Sequence, residues 1–148
     1  MLKKFATLAA FALAASILPG CASTSTATST SGTTAMPITM EEFRVPSSPG
    51  IEIYVRNKRP AGMTQFSAAK TVLYVHGATY PSETAFDLKL GGLSWMDYIA
   101  QQGYDVYLLD VRGYGQSTRP PQMDKPAGES APFAGTEEAM RDVDAVVE

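Results

Sequence analysis

Two short apolar runs in the middle of the chain constrain its fold more than any other feature. They are Thr71–Val75 (TVLYV) and Tyr104–Leu109 (YDVYLL). Continuous runs of this kind, rather than strict alternation, are typical of strands buried on both faces of a parallel sheet. Between them, Leu93–Gln102 spaces its apolar residues for one face of a helix, and Gly103 follows where a left-handed C-cap is expected. The order strand, helix, strand predicts a βαβ unit with a right-handed crossover, and therefore an α/β fold.

The residues before the first run predict an antiparallel pair of strands. Glu41–Pro46 is a weak strand candidate, and Ser47–Gly50 has the composition of a turn. Ile51–Arg56 begins with the alternation of a half-buried strand. We expect Asn57–Ser67, which contains a proline and a glycine, to be a loop.

The N-terminus has the pattern of an export signal. Two lysines precede an uncharged apolar stretch, so residues 1–20 are predicted to be a signal peptide. The stretch Leu18-Pro19-Gly20-Cys21 resembles a bacterial lipobox, which implies that Cys21 is acylated and holds the mature protein on a membrane. As the only cysteine in the chain, Cys21 cannot form an internal disulfide. An ordinary secretory signal with a coincidental cysteine is the alternative. Either signal predicts export, and the lipobox places the protein on the periplasmic or cell-surface side.

Composition divides the rest of the chain into two parts. Residues 21–37 are dominated by Ser, Thr and Ala and are predicted to be a flexible tether, since they lack the apolar side chains that offset ordering entropy. Residues 38–148 are predicted to be the folded domain. A final helix is expected from an N-cap at Thr136, with Met140, Val143, Val146 and Val147 on one face. Because the helical pattern runs into Glu148 without an exit signal, the domain is expected to be truncated.

The charge of the chain argues against nucleic acid as a partner. The whole chain carries −3, and removal of residues 1–20 takes away two lysines and no acid, which leaves −5. Nucleic-acid-binding proteins usually present a basic patch, and no basic cluster remains.

Candidate functional residues follow each of the two apolar runs. His76-Gly77-Ala78 follows the first, and Asp110-Val111-Arg112-Gly113-Tyr114-Gly115-Gln116-Ser117 follows the second. Ligands of open α/β sheets bind beyond the carboxyl ends of the strands, which is where both segments are expected.

Together, the two segments resemble the front half of the α/β-hydrolase superfamily, in particular its esterase, lipase and proline-iminopeptidase-like branch. The resemblance covers about residues 40–148 and implies the N-terminal half of that fold: antiparallel lead-in strands, then a mostly parallel sheet with flanking helices. It also implies that the Ala78 backbone N–H belongs to an oxyanion hole, with His76 and Gly77 shaping the loop. Structural roles in the neighbouring loop are implied for five residues: Asp110, Arg112, Gly113, Gly115 and Ser117.

The family's nucleophile motif, Gly-x-Ser-x-Gly, is absent from these 148 residues. Ser94 and Ser117 are half matches, but Ser94 lies in the predicted helix and Ser117 lies in the wrong loop. The resemblance places the nucleophile, acid and base beyond Glu148, so His76 is not expected to be the base.

One histidine and one cysteine are too few for a zinc site. The glycines at 113 and 115 echo a dinucleotide loop, but prolines follow where its helix would begin.

The resemblance therefore implies a longer parent protein that hydrolyses a small-molecule ester, amide or peptide with a serine nucleophile and without a cofactor. It also implies that the 148-residue chain is inactive by itself. Two alternatives remain open. One is a non-catalytic binding lipoprotein tethered to the membrane. The other is a dehalogenase-like or epoxide-hydrolase-like parent with an Asp nucleophile.

Overall fold

The computed structural model describes residues 35–148. The predicted signal peptide, Cys21 and nearly all of the predicted tether lie outside the described residues. The strands and α-helices, in chain order, are β1 (Ile38–Ser48), β2 (Ile51–Pro60), β3 (Thr71–Val75), α1 (Ser82–Phe86), α2 (Trp95–Gln101), β4 (Asp105–Leu109) and α3 (Thr136–Val147).

The strands form one mixed sheet in the order β1-β2-β4-β3. β1 pairs antiparallel with β2, and β2 pairs antiparallel with β4. β3 runs parallel to β4, with Thr71 opposite Asp105 and Val75 opposite Leu109. The α/β class, the antiparallel lead-in pair and a parallel pair of strands with helices between them are thus confirmed.

The prediction that Asn57 begins a loop was wrong, because β2 continues to Pro60. Polar residues in this part of the strand are buried with partners that sequence spacing does not reveal. The Asn57 side-chain amide donates to Asp105 at 2.6 Å. The Lys58 ammonium contacts Asp87 and Asp97, each at 2.5 Å. Long-range pairing therefore extends the strand beyond the point where its apolar alternation ends.

The two faces of the sheet carry separate apolar clusters. Tyr54, Val106 and Leu108 pack with Met96 and Ala100 of α2 on one face. The other face carries a second cluster, with α3 residues against it: Ile53, Val55, Leu109, Val111, Ala139, Val143 and Val146. Neighbouring residues of a strand point to opposite faces, so β2 and β4 contribute to both clusters.

The starts of two helices differ from the prediction. α2 begins at Trp95, because Ser94 is its N-cap: the Ser94 hydroxyl accepts the Asp97 N–H, and the Asp97 carboxylate accepts the Ser94 N–H. Ser94 therefore lies before the helix rather than inside it. α3 takes Gly135 as its N-cap, and Thr136 is its first helical residue.

The buried face of α3 also differs from the predicted one. Met140 and Val147 are exposed, whereas Asp142 is fully buried beside the apolar stripe. A carboxylate on the inner face of a helix needs a buried partner, and the tertiary structure supplies one in Arg112.

Candidate active site

A cavity of about 310 Å³ lies beyond the carboxyl ends of β3 and β4. Residues 76–78 line it after β3, and Val111 and Tyr114 line it after β4. Residues 134–136 and Ala139 close a third side with the start of α3. The structure thus brings His76, Gly77 and Ala78 together at the sheet edge where α/β proteins bind ligands.

Backbone hydrogen bonds fix the tautomer of His76. The Val111 N–H donates to Nε2 of His76 at 2.9 Å. Since a backbone N–H can only donate, Nε2 carries no proton and the proton lies on Nδ1. Nδ1 then donates to the Gly77 carbonyl at 2.6 Å. Both ring nitrogens are occupied by backbone partners, so this arrangement positions the loop and leaves the imidazole no free nitrogen with which to act as a base.

The same contact orients the Ala78 N–H. The Gly77 carbonyl and the Ala78 N–H belong to one peptide unit, which is trans, as are all peptide bonds of the described residues. In a trans peptide the C=O and N–H point in opposite directions. Because His76 holds the carbonyl, the Ala78 N–H points away from the imidazole. The Ala78 carbonyl, one peptide further on, accepts the Tyr114 hydroxyl at 2.6 Å.

Asp110 is tied to backbone amides on both sides. One carboxylate oxygen accepts the Ser82 N–H at 2.8 Å, and the other accepts the Gln116 N–H at 3.0 Å. The side chain is almost completely buried. A buried carboxylate whose two oxygens are occupied by the backbone holds the loop after β4 to the start of α1.

Ser117 joins this loop to β2. Its hydroxyl accepts the Tyr54 N–H at 2.8 Å and donates to the Asp110 carbonyl. The next residue continues the connection, since Thr118 exchanges backbone and side-chain hydrogen bonds with Glu52 at 2.9 Å. Ser117 therefore has a hydroxyl engaged in the framework of the loop, not one presented to the cavity.

Close contacts explain why the loop contains glycines. Gly115 has φ of +47°, and a Cβ there would lie 2.0 Å from a carboxylate oxygen of Asp110. Gly113 has φ of +84°, and a Cβ there would lie 2.6 Å from the Phe133 ring. Both the left-handed backbone and the lack of space require glycine at these positions.

Arg112 points away from the cavity toward α3. Its guanidinium donates to Asp142 at 2.6 and 2.9 Å, and its backbone N–H donates to the same carboxylate at 3.0 Å. The Ser47 hydroxyl adds a bond of 2.6 Å. Burial alone raises the pKa of Asp142, but the hydrogen bonds from Arg112 and Ser47 outweigh it and lower that pKa below its ordinary value. Sequence reasoning missed Asp142, although a charged residue on the apolar stripe of a helix was a visible signal.

A second set of buried charges lies away from the cavity. Arg56 and Lys58 of β2 share the Asp87 carboxylate, at 2.6 and 2.5 Å. The Ser94 hydroxyl also donates to Asp87 at 2.6 Å, so Ser94 is engaged here rather than at the candidate site. Burial opposes ionisation of Asp97, but contacts with Lys58 and the Ser94 backbone lower its pKa. This network fastens β2 to the segment between β3 and α2.

Among residues 35–148, no group of three His, Cys, Asp or Glu side chains has the arrangement of a metal site. In the same part of the chain, no helix combines the length and apolarity needed to span a membrane.

No protein-family model matches the chain. No curated protein sequence matches it either. Among solved structures, the hypothetical protein PA2218 from Pseudomonas aeruginosa is similar, with a TM-score of 0.51 and 13% identity. The match covers 74% of this chain and 29% of that protein. A predicted CIB-like hydrolase from Thermoplasma acidophilum has a TM-score of 0.46 and 18% identity, over 75% of this chain and 47% of its own length. The chain therefore spans less than half of either protein, and the similarity to PA2218 shows the fold alone.

Proposed function

We propose that this chain supplies the oxyanion side of a hydrolase site of the α/β-hydrolase type. In the complete site a serine nucleophile cleaves a small-molecule ester, amide or peptide, with the nucleophile, acid and base provided by polypeptide outside residues 1–148. The observation that carries the proposal is the Gly77–Ala78 peptide. His76 holds its carbonyl at 2.6 Å, which leaves the Ala78 N–H facing away from the imidazole, on a loop that lines the cavity.

This geometry suits acyl transfer because attack on an ester or amide carbonyl places negative charge on its oxygen. Preorganised backbone N–H groups stabilise that charge most effectively when they need not reorient during the reaction. The hydrogen bond from His76 to the other end of this peptide restrains the direction of the Ala78 N–H. Removal of one such donor costs about 10²–10³ in kcat in hydrolases of known mechanism.

The first test is to read the coding DNA downstream of the codon for Glu148. We expect an in-frame or frameshifted Gly-x-Ser-x-Gly after an apolar strand, followed by an Asp and a His. A stop codon followed by unrelated sequence would contradict the proposal and favour the tethered binding lipoprotein.

The second test uses the polypeptide that this downstream sequence encodes, assayed with p-nitrophenyl esters and a fluorophosphonate label. We expect the longer polypeptide to be labelled and the 148-residue chain to be inactive. Ala78→Pro removes the N–H and should lower kcat about 10²–10³-fold, whereas the matched control Ala78→Gly keeps the N–H and most activity. Activity without labelling would indicate an Asp nucleophile instead, and equal activity of the two variants would exclude Ala78 as the donor.

We also propose that the protein is exported and held on a membrane by acylated Cys21. The lipobox-like stretch before Cys21 supports this proposal. Two or three acyl chains, at about 0.8 kcal/mol per buried CH₂, hold a protein firmly on a bilayer. Mass spectrometry of the mature N-terminus should find a diacylglyceryl-modified Cys21, and Cys21→Ala should release the protein from the membrane fraction. An unmodified N-terminus elsewhere in the chain would contradict the lipid anchor.

A further inference from the structure

We propose that Tyr114 is a positioning residue which, together with His76, fixes the peptide units on both sides of Ala78 and so aims its N–H at the reacting oxygen. This inference rests on the proposed function and adds to it a residue that the sequence resemblance did not single out. It follows from three observations: what holds the peptide before Ala78, what holds the peptide after it, and how little else contacts this loop.

The peptide before Ala78 is held by His76 through the Gly77 carbonyl, at 2.6 Å. The Val111 N–H donates to the other ring nitrogen of His76 at 2.9 Å, so the donor on Nδ1 is fixed by the loop after β4. This contact restrains the peptide that carries the Ala78 N–H at one end only. The peptide is planar but can still pivot about that contact, because the rotations at the Ala78 Cα remain free.

The peptide after Ala78 is held by Tyr114, whose hydroxyl donates to the Ala78 carbonyl at 2.6 Å. Tyr114 itself belongs to a closely bonded turn, in which its N–H donates to the Val111 carbonyl and its carbonyl accepts the Ser117 N–H, both at 3.0 Å. The centroid of its ring lies 4.5 Å from that of the His76 ring, so the two side chains that donate to this loop also pack against each other. The loop after β4 therefore supplies both constraints on Ala78.

Packing does not provide an alternative constraint. Residues 77–80 are exposed, and a Cβ built on Gly77 would meet no atom within 4 Å. Exposed segments are ordinarily mobile, and the two side-chain hydrogen bonds are the constraints that the structure shows on the peptides beside Ala78.

The test is the backbone order parameter of Ala78, measured by ¹⁵N relaxation on the full 148-residue chain. In the chain without substitutions we expect an Ala78 order parameter of about 0.85, the value of a rigid backbone. Tyr114→Phe keeps the ring and removes only the hydroxyl. It should lower the Ala78 order parameter below about 0.6 while the residues of β4 keep theirs. The matched control is Tyr80→Phe, which removes the hydroxyl of an exposed tyrosine two residues along the same loop and should leave Ala78 rigid.

An unchanged Ala78 order parameter in Tyr114→Phe would overturn the inference. If that variant loosens β4 as well, a measurement on the unaltered protein decides instead. Exchange into deuterated solvent should shift the ¹³C signal of the Ala78 carbonyl by more than the Thr79 amide deuteron alone causes. Absence of this additional shift would refute the hydrogen bond.

These readouts need no hydrolysis, so they fail or succeed separately from the proposed function. In the longer active polypeptide, Tyr114→Phe should lower kcat about tenfold to a hundredfold and leave KM unchanged, because it misplaces a donor that acts in the transition state. An unchanged kcat would overturn the catalytic part of the inference. A rigid Ala78 in a polypeptide without hydrolase activity would refute the proposed function alone.

Discussion

The loop after β4 and the margin of the sheet at β3 lie at neighbouring strands, yet they differ in which side chains are buried and which are exposed. In the loop, residues 110–118, buried polar groups are matched by backbone partners, as for Asp110 and Ser117. At the margin, which comprises β3, the α1–α2 connection and the first turn of α2, large apolar side chains face solvent. They include Leu88, Leu90, Leu93, Trp95 and Tyr98.

The difference shows which kind of segment can complete its own structure. The loop combines glycines, short polar side chains and a carboxylate, and these satisfy one another within a few residues. The margin depends on burial by other elements, and β3 is paired only with β4 among the described strands. The sequence predicted a strand buried on both faces, but β3 lies at an edge and is only partly buried, with Val75 39% exposed.

The largest expected effect is at the carboxylate that anchors the loop to α3. Asp142→Ala leaves the buried Arg112 guanidinium without its partner and should lower the free energy of unfolding by about 3–5 kcal/mol. Urea denaturation followed by circular dichroism measures it. Asp144→Ala, at an exposed position on the same helix, is the control and should change stability by less than about 0.5 kcal/mol. Equal effects of the two variants would mean that the Asp142 contacts do not stabilise the fold.

A pair of leucines compares the central strand directly with the margin. Leu108 is fully buried, whereas Leu90 is 78% exposed. Leu108→Ala should cost about 2–5 kcal/mol, since it removes buried methyl groups and leaves a cavity. Leu90→Ala should be nearly neutral in the same urea titration. A large loss from Leu90→Ala would show that the margin is buried in solution.

A pair of glycines separates backbone strain from lack of space. Gly115 in the loop and Gly92 at the margin both have positive φ, but only Gly115 has an atom in the way of a Cβ. Gly92→Ala should cost about 1 kcal/mol, the usual penalty of the left-handed region. Gly115→Ala should cost about 1–3 kcal/mol more, because the Asp110 carboxylate must move. Thermal unfolding of both variants measures the difference, and equal melting temperatures would contradict the role of Asp110.

The smallest expected effect is a decrease in the free energy of unfolding at acidic pH. The pKa of Asp142 is lowered in the folded state from its ordinary value of 3.8. A lowered folded pKa contributes stability above the unfolded pKa, and that contribution is lost as the pH falls through the folded pKa. The free energy of unfolding should therefore decrease below about pH 4, and Asp142→Asn should show a flatter decrease. Identical pH profiles of the two proteins would assign the acid sensitivity to other carboxylates, such as Asp97.

Much of the fold could be predicted because it is encoded by local patterns. The bounds of β3 and the left-handed Gly103, with φ of +88°, follow from apolar runs and helix-ending chemistry over a few residues. The short helix α1 carried no such signal, because its five residues span little more than one turn. The end of β2 was misplaced because Asn57 and Lys58 resemble loop residues until their distant partners are known.

What the sequence by itself determined is the order of the strands with α2 and α3, and two of the three segments that line the cavity. Only the tertiary structure decided that β2 pairs with β4, that Asp142 binds Arg112, and that the Tyr114 hydroxyl meets Ala78. The physical reason is the separation along the chain of the residues that interact. Strand and helix periodicity acts between near neighbours, whereas Arg112 and Asp142 are 30 residues apart, and Ala78 and Tyr114 are 36 residues apart. Such pairs meet only when the sheet brings their segments to the same edge.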